Sequence, residues 1–147
     1  MKQTTQAGFT LLELMLSIAI ISVLTGLSLP LYESFLRRND LDLTVQSAAS
    51  LVRRAEVYAR GNSGDSVWGV AFQSSGITLY KGASYATRAA AFDETVAMPG
   101  SVNVSGLSEV TFAKLTAMPS ASGTVTFAGT TNDARSLTIN AKGMVDY

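Results

Sequence analysis

The sequence predicts an α+β fold in which one long N-terminal α-helix, its first half a transmembrane segment, packs by its second half on a C-terminal antiparallel β-sheet head. Three observations carry this. From Phe9 to Leu31 the chain is mostly apolar and its only charge is Glu13. From Leu41 to Ala59 apolar residues recur at steps of four and three. Beyond Gly61 the pattern changes to short β-rich runs separated by Gly, Ser, Asn and Pro. At 147 residues, 47% of them hydrophobic, the chain has material for one domain plus a hydrophobic stem and hardly for two cores.

Residues 1–8, MKQTTQAG, are polar, with one side-chain charge at Lys2. Residues 9–31 read FTLLELMLSIAIISVLTGLSLPL. As a helix this stretch is about 34 Å long, enough for a hydrocarbon core of about 30 Å. Glu13 is the anomaly within it. An ionised carboxylate at the bilayer centre costs roughly 2.5–3.5 kcal/mol on the most forgiving insertion scale, and less near one end, yet Leu there would still insert more easily. Gly26 and Pro30 lie in the second half of the run. Proline removes a backbone donor, so a kink is expected near the exit of the span.

Residues 32–60 continue the stem as an amphipathic helix. Leu41, Val45, Ala48, Val52, Ala55 and Ala59 make one apolar stripe, with Asp42, Gln46, Arg53, Glu56 and Arg60 largely off it. Glu56 and Arg60 form a favourable i,i+4 pair, and Gly61 followed by NSGDS marks the helix end. No compact domain of this size buries a helix running from about Thr10 to Arg60. Its first half must be covered by lipid or by copies of itself. Residues 61–147 are the β-rich head, with strands expected at 67–72, 76–81, 94–98, 101–105, 109–113, 124–128, 136–140 and 143–147. The stretch 82–93, GASYATRAAAFD, is the least strand-like and reads as a loop with room for a helical turn.

Little in the composition favours chemistry. Lys+Arg and Asp+Glu are both 11, so no net charge draws in nucleic acid or acidic lipid. With no cysteine and no histidine, disulfides, thiol catalysis, thiolate metal sites, the commonest general base and the commonest zinc ligand are missing. Asp40 and Asp42 diverge on a helix, Asp93-Glu94 is an adjacent pair at a loop edge, and Asn132-Asp133 reads as turn chemistry. NSGDS lacks the ligand spacing of an EF-hand loop. Trp68 and Tyr80 lie in strand patterns, where packing is the default role. No enzyme activity, cofactor or metal is expected.

The N-terminal residues carry a resemblance. Gly8 followed by Phe9-Thr10-Leu11-Leu12-Glu13, then an apolar run with Pro30, resembles the class III signal of type IV pilins and type II secretion pseudopilins. The resemblance implies a pilin fold and makes residues 1–8 a prepilin leader peptide. A prepilin peptidase would cut between Gly8 and Phe9 and N-methylate Phe9. Residues 9–31 become the transmembrane and filament-core helix, and the head lies on the outer, periplasmic side of the inner membrane before assembly. Arg37 and Arg38 run against that orientation by the positive-inside rule, although they lie several residues past Pro30. Glu13 would pair with the charged N-terminal amine of a neighbouring subunit, so that a mismatched register leaves a charge buried alone. Two other readings stand beside this one: Thr10-x-x-Glu13 fits a capping box, and the run could be an ordinary secretory signal.

SAASLVRRAEVYARGNSGDSVWGVAF, with Ala59-Arg60 at its helix end, is similar to the H-type minor pseudopilin and FimT-like minor pilin domain. So is the closing TVTFAGTTNDARSLTINAKGMVDY, with Gly143 before its last strand. The implied partners are the prepilin peptidase and other pilin or pseudopilin subunits, met through the N-terminal helix. The alternative is a minor pilin acting as a DNA-uptake or adhesion module. The chain ends AKGMVDY, without the basic tail some FimT-like pilins use on DNA, and Arg37, Arg38, Arg53, Arg54 and Arg60 are spread around a helix. Both facts argue against a nucleic-acid partner.

Overall fold

The computed structural model describes residues 8–130 and 133–147, apart from the side chains of 27–31. One helix, α1, runs from Leu11 to Arg60, within a residue of the bounds its sequence predicts. The chain divides into two compact units, Met1–Leu36 and Arg37–Tyr147.

In the second unit the six residues of the predicted stripe, Leu41 to Ala59, are all buried, and Ala49 and Leu51 widen it. Four of those eight are alanines, whose single methyl lets the helix backbone approach a sheet closely. The polar positions Gln46, Arg53 and Arg60 are exposed, and Arg60 pairs with Glu56 at 2.6 Å. The helix stops at the expected place through a different residue. Gly61 still donates its N–H to the Val57 carbonyl, but Asn62 adopts the left-handed conformation at φ 52°. Asparagine is the commonest substitute for glycine at such a terminus. The Leu115 N–H reaches back to the Ala59 carbonyl at 2.8 Å, satisfying one of the last acceptors of the helix.

Eight strands follow: β1 Trp68–Gln73, β2 Gly76–Lys81, β3 Glu94–Ala97, β4 Val102–Gly106, β5 Glu109–Phe112, β6 Gly123–Gly129, β7 Ala134–Ile139 and β8 Val145–Asp146. Each falls on one of the predicted runs. They form two antiparallel sheets, ordered β3-β2-β1-β5 and β4-β6-β7-β8. Alternation then sorts the side chains. Trp68, Val70, Phe72, Ile77, Leu79, Val110 and Phe112 of the first sheet meet Val102, Val125, Phe127, Leu137 and Ile139 of the second in one core with the helix stripe. Phe72 and Phe127 join the two sheets nearly edge to face, their centroids 6.4 Å apart.

Residues 82–93 carry two short 3-10 turns, Tyr85–Thr87 and Ala90–Phe92; on the opposite face of the first sheet Tyr85 packs against the Tyr80 ring, while Phe92 meets Trp68. Gly69 lies directly across from Tyr80, and a methyl group there would sit 2.7 Å from the Tyr80 ring. Glycine therefore makes the space that the ring fills. The Glu109 carboxylate accepts hydrogen bonds from the Tyr80 hydroxyl at 3.1 Å and the Tyr85 N–H at 2.9 Å, fastening the loop over the sheet. Burial raises the Tyr80 phenol above its ordinary pKa, and the Glu109 charge adds to this.

Candidate processing and assembly segment

The residues singled out in the sequence lie at the start of α1. Gly8 and Phe9 are exposed and precede the helix. Among the described residues nothing lies within 4 Å of a methyl group placed on Gly8. Phe9 is 83% exposed. Thr10 caps the helix: its hydroxyl accepts the Glu13 N–H at 3.2 Å and its carbonyl accepts the Leu14 N–H at 3.1 Å. This is the threonine half of a capping box. Among the described residues the Glu13 carboxylate has no hydrogen-bond or ion-pair partner, so the cap does not occupy it.

The surface around Glu13 is mostly apolar. All residues from Leu11 to Gly26 are exposed, among them Leu12, Leu14, Met15, Leu16, Ile18, Ile20, Ile21, Val23 and Leu24. Three hydroxyls interrupt them, and each turns back onto its own helix. Ser17 donates to the Glu13 carbonyl, Ser22 to the Ile18 carbonyl and Thr25 to the Ile21 carbonyl, at 2.7, 2.7 and 2.8 Å. Such i−4 bonds hide the polar group from an apolar neighbour. The sequence reading passed over these three residues. Ser or Thr inside an otherwise apolar helix was the available signal.

The helix assignment runs unbroken through Gly26 and Pro30. Among the described residues nothing lies within 4 Å of a methyl group placed on Gly26, while the Pro30 side chain, and with it the cause of the expected kink, lies outside the described residues. Residues 1–7 of the expected leader also lie outside them. Among the described residues no helix is long and apolar enough to cross a membrane.

Elsewhere several charged groups pair with groups of opposite sign. Arg38 pairs with Asp133, Arg54 with Glu94, Arg88 with Asp93, Lys114 with Asp65 and Arg135 with Asp42. Asp40 accepts a hydrogen bond from the Ser101 hydroxyl at 3.3 Å. Asp40, Asp42, Asp93, Glu94 and Asp133 are thus each engaged in an ion pair or a hydrogen bond. Among the described residues no group of three acidic side chains is placed to hold a metal ion. Three arginines of α1, Arg38, Arg54 and Arg60, are each paired with an acid, which weakens any attraction for phosphate. Asn132 lies outside the described residues.

Residues 3–29 match the family described as the prokaryotic N-terminal methylation motif, a span that takes in Gly8, Phe9, Glu13 and Gly26 and stops one residue short of Pro30. No curated protein and no solved structure matches the chain. The motif is one of structural subunits and not of an enzyme family, and it supports a type IV pilin-like, prepilin-type chain that a peptidase processes and that assembles with other pilins.

Proposed function

We propose that the chain is a minor structural subunit of a type IV pilus or a type II secretion pseudopilus. A prepilin peptidase removes residues 1–8 by cutting between Gly8 and Phe9 and methylates Phe9. Residues 9–31 then hold the subunit in the inner membrane with residues 61–147 outside, and 32–60 continue the stem. On assembly the same helix enters a bundle of like helices, where Glu13 pairs with the N-terminal amine of a neighbour. The observation that carries this reading is the matched methylation motif on a helix whose apolar surface is uncovered on all sides. A carboxylate without a partner one turn after Phe9 fits the pairing role. The H-type, FimT-like assignment draws on the buried Ala59 at the helix end and on the closing hairpin of β6 and β7.

N-terminal mass spectrometry of protein made alongside a prepilin peptidase tests the processing step. A methylated Phe9 terminus is expected. An intact Met1, or a cut near Ser28, overturns the assignment.

A further inference from the structure

Strand β5 ends at Phe112, and two loops meet beyond it. A bridge pairs Phe112 with Pro119 across the first loop, and a methyl group on Gly143 of the second would lie 3.5 Å from the Ala117 carbonyl oxygen. Leu115 and Ala117 hold φ of 68° and 53°, a left-handed conformation that residues with a side chain adopt at a cost. Strain of this kind clusters at sites of use. Leu115, Met118 and Met144 are all more than three-fifths exposed. The Asn140 side chain accepts the Lys142 and Met144 N–H groups at 2.9 and 3.0 Å, which fixes the tip of the second loop. Among the described residues the Lys142 ammonium has no ion pair and no ring contact, while six other basic side chains sit in ion pairs and two more lie over rings.

The other end of β5 carries the complement. Glu109 lines an open pocket of about 260 Å³ with Phe72, Gln73, Ser84, Tyr85 and Ala86. Its Oε2 accepts the bonds from Tyr80 and Tyr85, and among the described residues its Oε1 has no partner and no cation pairs with it. In the ladder with β1, Glu109 stands opposite Ala71 and Phe112 opposite Trp68, so the pocket and the two loops lie at opposite ends. We infer that loops 113–119 and 140–144 of one copy dock at the Glu109 pocket of the next, the Lys142 ammonium meeting the free carboxylate oxygen. The occupant is a second copy because the unpaired cation and the half-buried acid that it complements both belong to this chain. Leu115, Met118 and Met144 surround the pair and keep water from it. Two different surfaces at opposite ends make the contact heterologous, so it generates a row or a ring and not a closed two-fold dimer. The inference rests on the assembly reading above and adds to it a contact between heads that involves neither Phe9 nor Glu13.

The chain is free of cysteine, so introduced thiols report the contact alone. Full-length chain carrying Ala141→Cys is mixed in mild detergent with full-length chain carrying Ala86→Cys, and the mixture is oxidised with copper phenanthroline. Both positions are exposed, and Ala86 lines the pocket. The mixed disulfide-linked dimer is expected to exceed either self-linked product several-fold, and a chain carrying both substitutions should give a ladder of multimers. Adding Lys142→Gln to the Ala141→Cys chain should reduce the mixed product several-fold at low salt, and Lys142→Arg should restore it. A mixed yield no higher than the self-linked yields overturns the docking. Self-linking of the Ala141→Cys chain as the main product means a two-fold contact of the loops and overturns the head-to-tail arrangement. A yield untouched by Lys142→Gln overturns the pairing with Glu109. The measurement needs neither processing nor filaments, so its failure leaves the proposed assembly standing, and an unmethylated Phe9 leaves the contact measurable.

Discussion

Leu11–Gly26 and Leu41–Ala59 belong to the same helix, yet every residue of the first stretch is exposed while the second alternates between buried and exposed faces. The difference follows from how apolar residues are distributed and not from how many there are. A stripe repeating at four and three needs a partner on one side only, and the two sheets supply it within the chain. A surface apolar all round needs covering on all sides, which one chain of this length cannot provide. The first stretch is therefore built for other molecules and the second for its own head. A single acid in the first is tolerable only where water or a counter-ion can reach it.

The largest effect that could break this comparison lies at Glu13. Replacing it with glutamine or leucine should reduce incorporation into filaments by an order of magnitude or more, because a partner's buried amine left alone costs about 3–5 kcal/mol. The unfolding curve of the head should not move. Quantifying assembled against membrane-held subunit checks this, and unchanged incorporation sinks the pairing mechanism. Close behind comes a contrast within the helix. Leu41→Ala removes a buried side chain and should destabilise the head by about 2–5 kcal/mol. Ile20→Ala, at an exposed position, should change it by less than about 0.5 kcal/mol. Denaturant titrations in detergent compare the two. Similar losses would mean that the first stretch is also packed inside the monomer.

The helix, its buried stripe and all eight strands were legible because each is a local pattern. A period of 3.6 or 2 survives in any window of a few residues. The pairing of those strands was not legible. The β1–β2 hairpin follows from neighbouring runs, but β5 joins β1 across the sequence that carries β2, β3 and β4, and no local signal records that choice. The loop over Tyr80 was hidden for the same reason. Glu109 lies 24 residues from Tyr85 and gave no sign that it would fasten it. The candidate processing and assembly segment is the reverse case: Gly8, Phe9 and Glu13 are legible in the sequence as a motif, while among the described residues the Glu13 carboxylate meets no partner.

That fastening sets a third expectation. Tyr80 stays protonated in the folded state at a pH where the unfolded chain has lost the phenolic proton, because its folded pKa is raised by burial and by Glu109. Its contribution is fully present below the unfolded value of about 10 and declines above it, by about 1.4 kcal/mol per pH unit until the folded value is reached. Head stability measured against pH should fall in this alkaline window, and Tyr80→Phe should flatten the slope. An unaltered slope in the variant would assign the alkaline loss to another group.

The smallest effect sharpens the comparison at the head's edge. Strand β3 is an edge strand whose four residues are all exposed, so little apolar burial holds it. Arg54 of α1 grips it through two hydrogen bonds to Glu94, one of them 2.6 Å long, while also reaching the Tyr58 hydroxyl at 3.1 Å. The Glu94 bonds, then the Tyr58 bond, raise the already high pKa of the guanidinium, which has no consequence below strong alkali. Both side chains are more than two-fifths exposed, so solvent screens the pair. Glu94→Gln should accordingly cost only about 0.2–1 kcal/mol in global stability, and less at high salt. Locally the effect should be larger in proportion. Amide hydrogen exchange in β3 should speed up while β1 and β2 stay protected, because opening an edge strand needs less than global unfolding. Uniform acceleration across the sheet would instead mean that the Arg54–Glu94 grip is part of the core's own stability, and that the second stretch of the helix holds its sheet by charge as well as by its stripe.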